Sequence, residues 1–287
     1  MGVDLDAYLA KEEQQFPDIT PGVQKRIVWA GARGAQTPVA IVYIHGFSAT
    51  SQEIRPVPDD VARALGANLF YTRLAGHGLG GPALATATTG KWMNDLAEAL
   101  AIGHRIGKRV IVMATSTGGT LAAIGASDPR LKGQIDGLVL LSPNFAMRDP
   151  KAVVLTMPLA RYWAPLIAGR KRCFTPHNPL HKKYWTTCYP SVAVFPVGAL
   201  VAYAGRQDYS RDMAPALFLY APADEVVDER RTAEIAAGWG GPHEVVKRVM
   251  GPGDDPSSHV IAGDILSPGQ TAGTEKLILD WAKRQGF

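Results

Sequence analysis

Ser116, Asp224 and His259 follow one another along the chain in the order serine, acid, histidine, which suits nucleophilic catalysis. A serine hydroxyl is a poor nucleophile at neutral pH, so it needs a nearby base, and that base needs an acid to orient it. Ser116 lies in the segment 109–120, RVIVMATSTGGT, where an apolar run meets small residues and then a helical pattern. A strand that turns sharply into a helix around such a serine predicts a nucleophile elbow.

The junction around Ser116 departs from the usual elbow at one position, because Ala114 stands where glycine is usual. Alanine is small, so the steric requirement of the tight turn is still met. Thr117 is a weaker candidate for the nucleophile, since its neighbour two positions back is the bulkier Thr115. Taken alone, a Ser-Gly-Gly junction also fits a turn that only caps a helix.

The acid is expected in the loop after a late strand, and Asp224 follows the predicted strand 217–220. Glu225 and Asp228 are its competitors, although Asp228 is better placed to cap a helix that starts near Glu229. The alternative for Asp224 itself is a residue that only shapes a turn.

The base is expected after the last strand, in a loop that reaches across the strand ends. His259 follows the strand that we predict to end near Met250. Only His243 and His259 lie C-terminal to Asp224, and His243 directly precedes the last strand, at the opposite end of the sheet from the elbow. His259 is therefore the predicted base.

An oxyanion hole completes this chemistry with two backbone N–H donors. One is the residue after the nucleophile, Thr117, and the other is Phe47, in the turn that follows a buried strand. Gly46 allows the backbone to turn there, so that the Phe47 N–H can point into the site. His45 and His77 are interpreted as structural residues of their loops.

The elements that must position these residues alternate between strands and helices, which predicts a mostly parallel sheet covered on both faces. Strands are predicted at 25–30, 39–44, 68–72, 110–113, 138–141, 217–220 and 245–250. Helices are predicted at 4–16, late in 51–65, at 91–106, from the elbow to about 127, at 229–239 and at 274–285.

Residues 144–215 interrupt this alternation with a segment rich in proline and aromatic residues. About seventy residues is too long for an ordinary loop, so we predict an inserted, mainly helical lid above the strand ends. The core would then consist of residues 1–143 and 216–287. The alternative is an additional αβ unit that continues the sheet, for which only 192–195 offers a strand.

The composition is that of a globular protein, with 46% hydrophobic and 20% charged residues among 287 and a net charge of +4. The basic residues are scattered, with their densest cluster at 170–172, so no nucleic-acid partner is expected. No Cys/His spacing indicates a metal site, and Cys173 and Cys188 are either paired or free. No secretory signal and no membrane span are recognised, so a cytoplasmic location without stable membrane insertion is expected. The oligomeric state stays open.

The motifs HGF (45–47), RLAGHG (73–78), the serine elbow followed by Gly-Gly, PADEVVD (222–228) and SSHVI (257–261) resemble the α/β-hydrolase superfamily. More narrowly, the chain is similar to its carboxylesterase and monoacylglycerol-lipase branch, from Val39 to the C-terminal helix. The resemblance implies an α/β-hydrolase fold with an eight-stranded, mostly parallel sheet and no cofactor.

The resemblance also implies ester hydrolysis through an acyl-enzyme, with Ser116 as nucleophile, His259 as acid and base, and Asp224 as orienting acid. Phe47 and Thr117 are carried over as oxyanion donors. The leading hypothesis is a hydrolase of small to medium acyl esters, including monoacylglycerol-like ones, with a small-molecule ester as its partner. The alternatives are acyl transfer, amidase or peptidase action and carbon–carbon hydrolysis, or a non-catalytic binding protein. A serine at position 116 argues against dehalogenases and epoxide hydrolases, which need a carboxylate there.

Overall fold

Apolar runs in the sequence form the strands of one central sheet in the computed structural model, which describes residues 4–287. The strands are β1 (Arg26–Val28), β2 (Thr37–Ile44), β3 (Asn68–Tyr71), β4 (Gly107–Thr115), β5 (Gly137–Leu141), β6 (Lys171–Cys173), β7 (Cys188–Pro190), β8 (Ala216–Tyr220) and β9 (His243–Lys247). The strand order in the central sheet is β1-β3-β2-β4-β5-β8-β9, and β6 pairs with β7 in a separate hairpin. Only β1 runs antiparallel to its neighbour in the central sheet.

The central sheet of the described chain has seven strands, so the expected number of eight is wrong. One edge of the sheet is formed by β1, which pairs only with β3. The described residues that precede β1 fold as a helix that begins at Leu5 and is capped by the side chain of Asp4. Val28 of β1 is exposed, as suits an edge strand.

Helices cover both faces of the sheet and bury two apolar clusters against it. They are α1 (Leu5–Glu13), α2 (Val57–Leu65), α3 (Gly81–Leu84), α4 (Thr89–Ile106), α5 (Thr117–Ser127), α6 (Ala160–Ala168), α7 (Pro179–Tyr184), α8 (Phe195–Ala204), α9 (Glu229–Ala237) and α10 (Thr271–Arg284). Short 3₁₀ helices lie at Pro150–Thr156, Ser191–Val194, Tyr209–Arg211 and Pro268–Gln270. None of the helices between residues 4 and 287 has both the length and the apolar character that crossing a bilayer requires.

The last strand lies earlier than predicted, because it ends at Lys247 and not near Met250. Its register explains this, since His243 pairs with Ala216 and Lys247 pairs with Tyr220, the last residue of β8. His243 is thus the first residue of β9 and not the residue before it.

The segment between β5 and β8 contains helices and one short hairpin but adds no strand to the central sheet. The candidate strand at 192–195 is wrong, because Ser191–Val194 form a 3₁₀ helix. Cys173 and Cys188 face each other across the β6–β7 hairpin and form a disulfide. The pairing that the sequence left open is therefore present.

Two helices of this segment, α6 and α8, pack differently. In α8, Val197, Leu200 and Ala204 are buried in the core cluster that also contains residues of α5. In α6, by contrast, Tyr162 and Ile167 are exposed while Ala164 is turned inward. Within this segment, α6 therefore lies at the surface, and α8 brings the chain back to the sheet as a core helix.

Candidate active site

Ser116 forms the junction between β4 and α5 and has a φ of 51° and a ψ of −118°. This left-handed backbone is strained for a residue other than glycine, and such strain is concentrated at functional sites. The elbow needs its following glycine, because a Cβ on Gly118 would lie 2.4 Å from the carbonyl oxygen of Ile44. Ala114 is fully buried and pairs with Ile44 and Leu140 within the sheet, so its methyl group is accommodated.

The three residues predicted from the sequence lie in one hydrogen-bonded chain. The Ser116 hydroxyl is 2.9 Å from Nε2 of His259, and Nδ1 of His259 is 2.8 Å from Oδ2 of Asp224. The other carboxylate oxygen of Asp224 accepts hydrogen bonds from the N–H groups of Val226 and Val227, at 2.8 and 2.9 Å. Asp224 is completely buried, and its two oxygens have distinct partners that fix its orientation.

His259 is held by its backbone as well as by its ring. Its N–H donates to Oδ2 of Asp255 at 3.1 Å, and the N–H of Val260 donates to the same oxygen at 2.8 Å. Burial lowers the pKa of the imidazole, but the charge and the hydrogen bond of the Asp224 carboxylate bring it above its usual 6.5. The ring is thereby oriented toward Ser116 and its charged form is stabilised.

The other acids and histidines considered in the sequence have different surroundings. Asp228 accepts a hydrogen bond from the N–H of Arg230 and caps α9. His243 lies at the start of β9, the end of the strand remote from the elbow. Burial lowers the pKa of His45 to about 4, and the ring bridges the carbonyl of Gly46 and the N–H of Leu74. None of these hydrogen bonds involves Ser116, Asp224 or His259.

Of the two expected oxyanion donors, Thr117 directly follows Ser116, and Phe47 lines the same cavity as Ser116. Thr117 is the first residue of α5, where a helix has no internal acceptor for its N–H groups. Within residues 4–287, neither the Thr117 N–H nor the Phe47 N–H has a hydrogen-bond acceptor. The turn that carries Phe47 is in contact with the segment between β5 and β8, since Thr186 N–H donates to Ser48 O at 2.7 Å and the Phe47 and Tyr189 rings are 5.3 Å apart.

Sequence reasoning missed Glu53, a buried carboxyl group beside the Phe47 turn. Its Oε2 accepts a hydrogen bond from the N–H of Gly46 at 2.7 Å and one from the hydroxyl of Tyr43 at 3.1 Å. The only signal in the sequence is a glutamate in SATSQE, just after HGF. No spacing rule singles it out, because its position depends on how the loop folds back on β2.

A cavity of about 790 Å³ opens above Ser116 and His259. The segment between β5 and β8 supplies many of its apolar walls, among them Val154, Leu155, Ala164, Phe174, Trp185 and Tyr189. Within residues 4–287, no group of three or more histidine, cysteine or acidic side chains is arranged to hold a metal ion. The cavity is thus a largely apolar chamber with a few polar groups around the serine.

Solved structures with a similar fold include several lipolytic enzymes. One belongs to a report on two metagenome-derived lipolytic enzymes, LipS and LipT, and has a TM-score of 0.70 and 19% identity over 93% of this chain and 98% of that one. The monoacylglycerol lipase of Paleococcus ferrophilus has a TM-score of 0.65 and 16% identity over 91% and 99% of the two chains. Est1E of Butyrivibrio proteoclasticus, solved with ferulic acid, has a TM-score of 0.63 and 16% identity over 93% and 98%. Identities this low show the fold alone.

A search of the curated proteins finds no matching sequence. The family model described as serine aminopeptidase, S33, matches residues 35–194, which is more than half of the chain and includes the Phe47 turn and the Ser116 elbow. The protein therefore belongs to this serine aminopeptidase family, and its fold is that of the α/β-hydrolases.

Proposed function

We propose that the protein is a serine hydrolase that cleaves carboxylic esters with small to medium acyl chains through an acyl-enzyme on Ser116. One observation carries the proposal: Ser116, His259 and Asp224 form a hydrogen-bonded chain with distances of 2.9 and 2.8 Å. A nucleophile, its base and an orienting acid in this arrangement are what acyl transfer to water requires.

In the proposed reaction, Ser116 Oγ attacks the ester carbonyl carbon while Nε2 of His259 takes the hydroxyl proton. The N–H groups of Phe47 and Thr117 stabilise the negative oxygen of the tetrahedral intermediate. His259 then gives its proton to the leaving alcohol, and an acyl-enzyme remains. A water molecule, deprotonated by His259, attacks the acyl carbon. When the bond between this carbon and Ser116 Oγ breaks, His259 gives the proton back to Oγ and the carboxylic acid is released.

The apolar walls of the cavity favour an acyl ester over a peptide with a free N-terminus. A substrate ammonium group would need an available carboxylate, but Glu53 and Asp255 are buried and already accept hydrogen bonds from the protein. Asp149 also lines the cavity, but so does Lys151, whose positive charge repels an ammonium group. An apolar acyl chain has no such requirement.

The proposal includes residues 144–215 as a lid over the core formed by residues 1–143 and 216–287. Walls contributed by this segment and its contacts with the Phe47 turn support that role. In the proposed lid, α6 and the β6–β7 hairpin cover the site, and α8 anchors the segment to the core.

A fluorophosphonate tests the nucleophile directly, because an activated serine displaces its fluoride and forms a covalent adduct that is not hydrolysed further. We expect the intact mass to increase by one adduct, with Ser116 as the modified residue, and no adduct in Ser116→Ala. Thr117→Ser, which removes only a methyl group from the neighbouring side chain and keeps its backbone N–H, serves as the matched control. Turnover of p-nitrophenyl esters of increasing chain length then measures the acyl pocket. An unmodified protein, or a label elsewhere, contradicts the mechanism.

A further inference from the structure

Glu53 is a buried carboxyl group that the mechanism above does not use. It is 2% exposed and lines the cavity that contains Ser116. Its Oε1 and the Cβ of Ser116 lie 2.8 and 3.1 Å from the point where a Cβ on Gly46 would be. The carboxyl group and the nucleophile therefore both lie against Gly46, the residue before Phe47.

The hydrogen bonds of Glu53 all come from neutral donors. Within residues 4–287, the carboxyl group accepts hydrogen bonds from the Gly46 N–H and the Tyr43 hydroxyl, and it forms no ion pair with a lysine or arginine. The titratable groups that face it are Tyr43 from β2 and His259 from the loop after β9. A buried carboxylate without a cationic partner is unfavourable, so the neutral acid is favoured.

We propose that Glu53 is a positioning residue for the oxyanion turn, and that it holds this turn as a neutral carboxylic acid. One oxygen accepts the Gly46 N–H and thereby fixes the orientation of the next peptide, which carries the Phe47 donor. The inference rests on the proposed function, because it concerns the oxyanion of the acyl-transfer step.

The charge of Glu53 matters because a negative oxygen forms beside it during the reaction. Two unit charges roughly 6 Å apart, at an effective dielectric constant of about 20, change a rate by about a hundredfold. An ionised Glu53 opposes the oxyanion in this way. His259 needs no second carboxylate, since Asp224 already supplies its counter-charge.

Burial raises the pKa of Glu53 to about 7, against the opposing effects of the Gly46 N–H, His259 and Tyr43. The neutral form therefore dominates below this value, and the ionised form dominates above it. On this basis, kcat/KM of the wild-type protein falls as the pH rises through the pKa of Glu53.

The test compares pH profiles of kcat/KM for p-nitrophenyl butyrate between the wild type and Glu53→Gln. Glutamine reproduces the neutral acid, with an oxygen for the Gly46 N–H and an NH₂ in place of the second oxygen. We expect the ratio of variant to wild type to increase by tenfold to a hundredfold between pH 6 and pH 9. The thermal unfolding midpoint of both proteins is measured at each pH, so that a loss of folded protein is not mistaken for a loss of activity.

A second measurement does not depend on turnover. Infrared difference spectra between the wild type and Glu53→Gln at pH 6 are expected to contain the carbonyl band of a protonated carboxyl group. A ratio that is constant with pH, or a carboxylate band at pH 6, overturns the inference. Absence of ester hydrolysis in the wild type contradicts the proposed function instead, and the infrared result stands separately.

Discussion

Replacing Asp224 by asparagine tests the orienting acid without removing its structural hydrogen bonds. Oδ1 accepts from the N–H groups of Val226 and Val227, so the asparagine oxygen must occupy that position. The NH₂ group then faces Nδ1 of His259, 2.8 Å away in the wild type. A donor at that position forces the imidazole proton onto Nε2, which can no longer accept the proton of Ser116.

The expected loss in kcat is about 10⁴-fold, or about 5.4 kcal/mol of transition-state stabilisation, as for the same change in other serine triads. Initial rates with p-nitrophenyl butyrate at pH 8 measure it. Asp228→Asn is the matched control on the same loop, because asparagine also caps a helix and the Asp228 carboxylate accepts its hydrogen bonds from Arg230. Its activity is expected to stay close to that of the wild type.

Asp224→Ala distinguishes the contribution of Asp224 to the orientation of His259 from its contribution to the stability of the fold. It leaves the N–H groups of Val226 and Val227 without an acceptor in the interior, at a cost of about 1–3 kcal/mol each in the free energy of unfolding. The asparagine variant keeps these bonds and should unfold at nearly the wild-type urea concentration. If Asp224→Asn retains more than a tenth of the wild-type kcat, a residue other than Asp224 orients His259.

Two further predictions concern the base and the elbow. Because the pKa of His259 is raised above 6.5, kcat/KM should fall as the pH drops through that raised value. Asp224→Asn should move this fall in kcat/KM to lower pH. If the fall occurs at the same pH in the variant, a group other than His259 is responsible for it. Gly118→Ala brings a methyl group within 2.4 Å of the Ile44 carbonyl oxygen, so urea unfolding should reveal a loss of about 1–3 kcal/mol in the free energy of unfolding. Gly90→Ala is the control, because its Cβ would have only one neighbour, at 4.0 Å, and it should not destabilise the protein.

The central strands were predictable because they are buried on both faces. β2, β4, β5 and β8 appear in the sequence as uninterrupted apolar runs, and the structure places them side by side. The edge elements carry a weaker signal. In β9 exposed and half-buried residues alternate and none is fully buried, and the β6–β7 hairpin has no buried residue and no apolar run.

The serine, acid and histidine were predictable for a related reason: each follows a recognisable strand or lies in the loop beyond one. Carboxyl ends of parallel strands meet at one edge, so the order along the chain brings the three side chains together. Glu53 has no such signal. Its position depends on a loop that returns to Tyr43, ten residues earlier in the chain.

The path between β5 and β8 has a consequence for how the protein folds. Leu141 and Leu219 are paired neighbours in the sheet, yet the whole segment 142–215 separates the two strands along the chain. Contacts across such a distance are slow to form, because the intervening chain must lose its freedom first. A chain that has assembled β2, β4 and β5 holds Ser116 but neither Asp224 nor His259. Reactivity of Ser116 toward a phosphonate during refolding would therefore report when the C-terminal strands have docked.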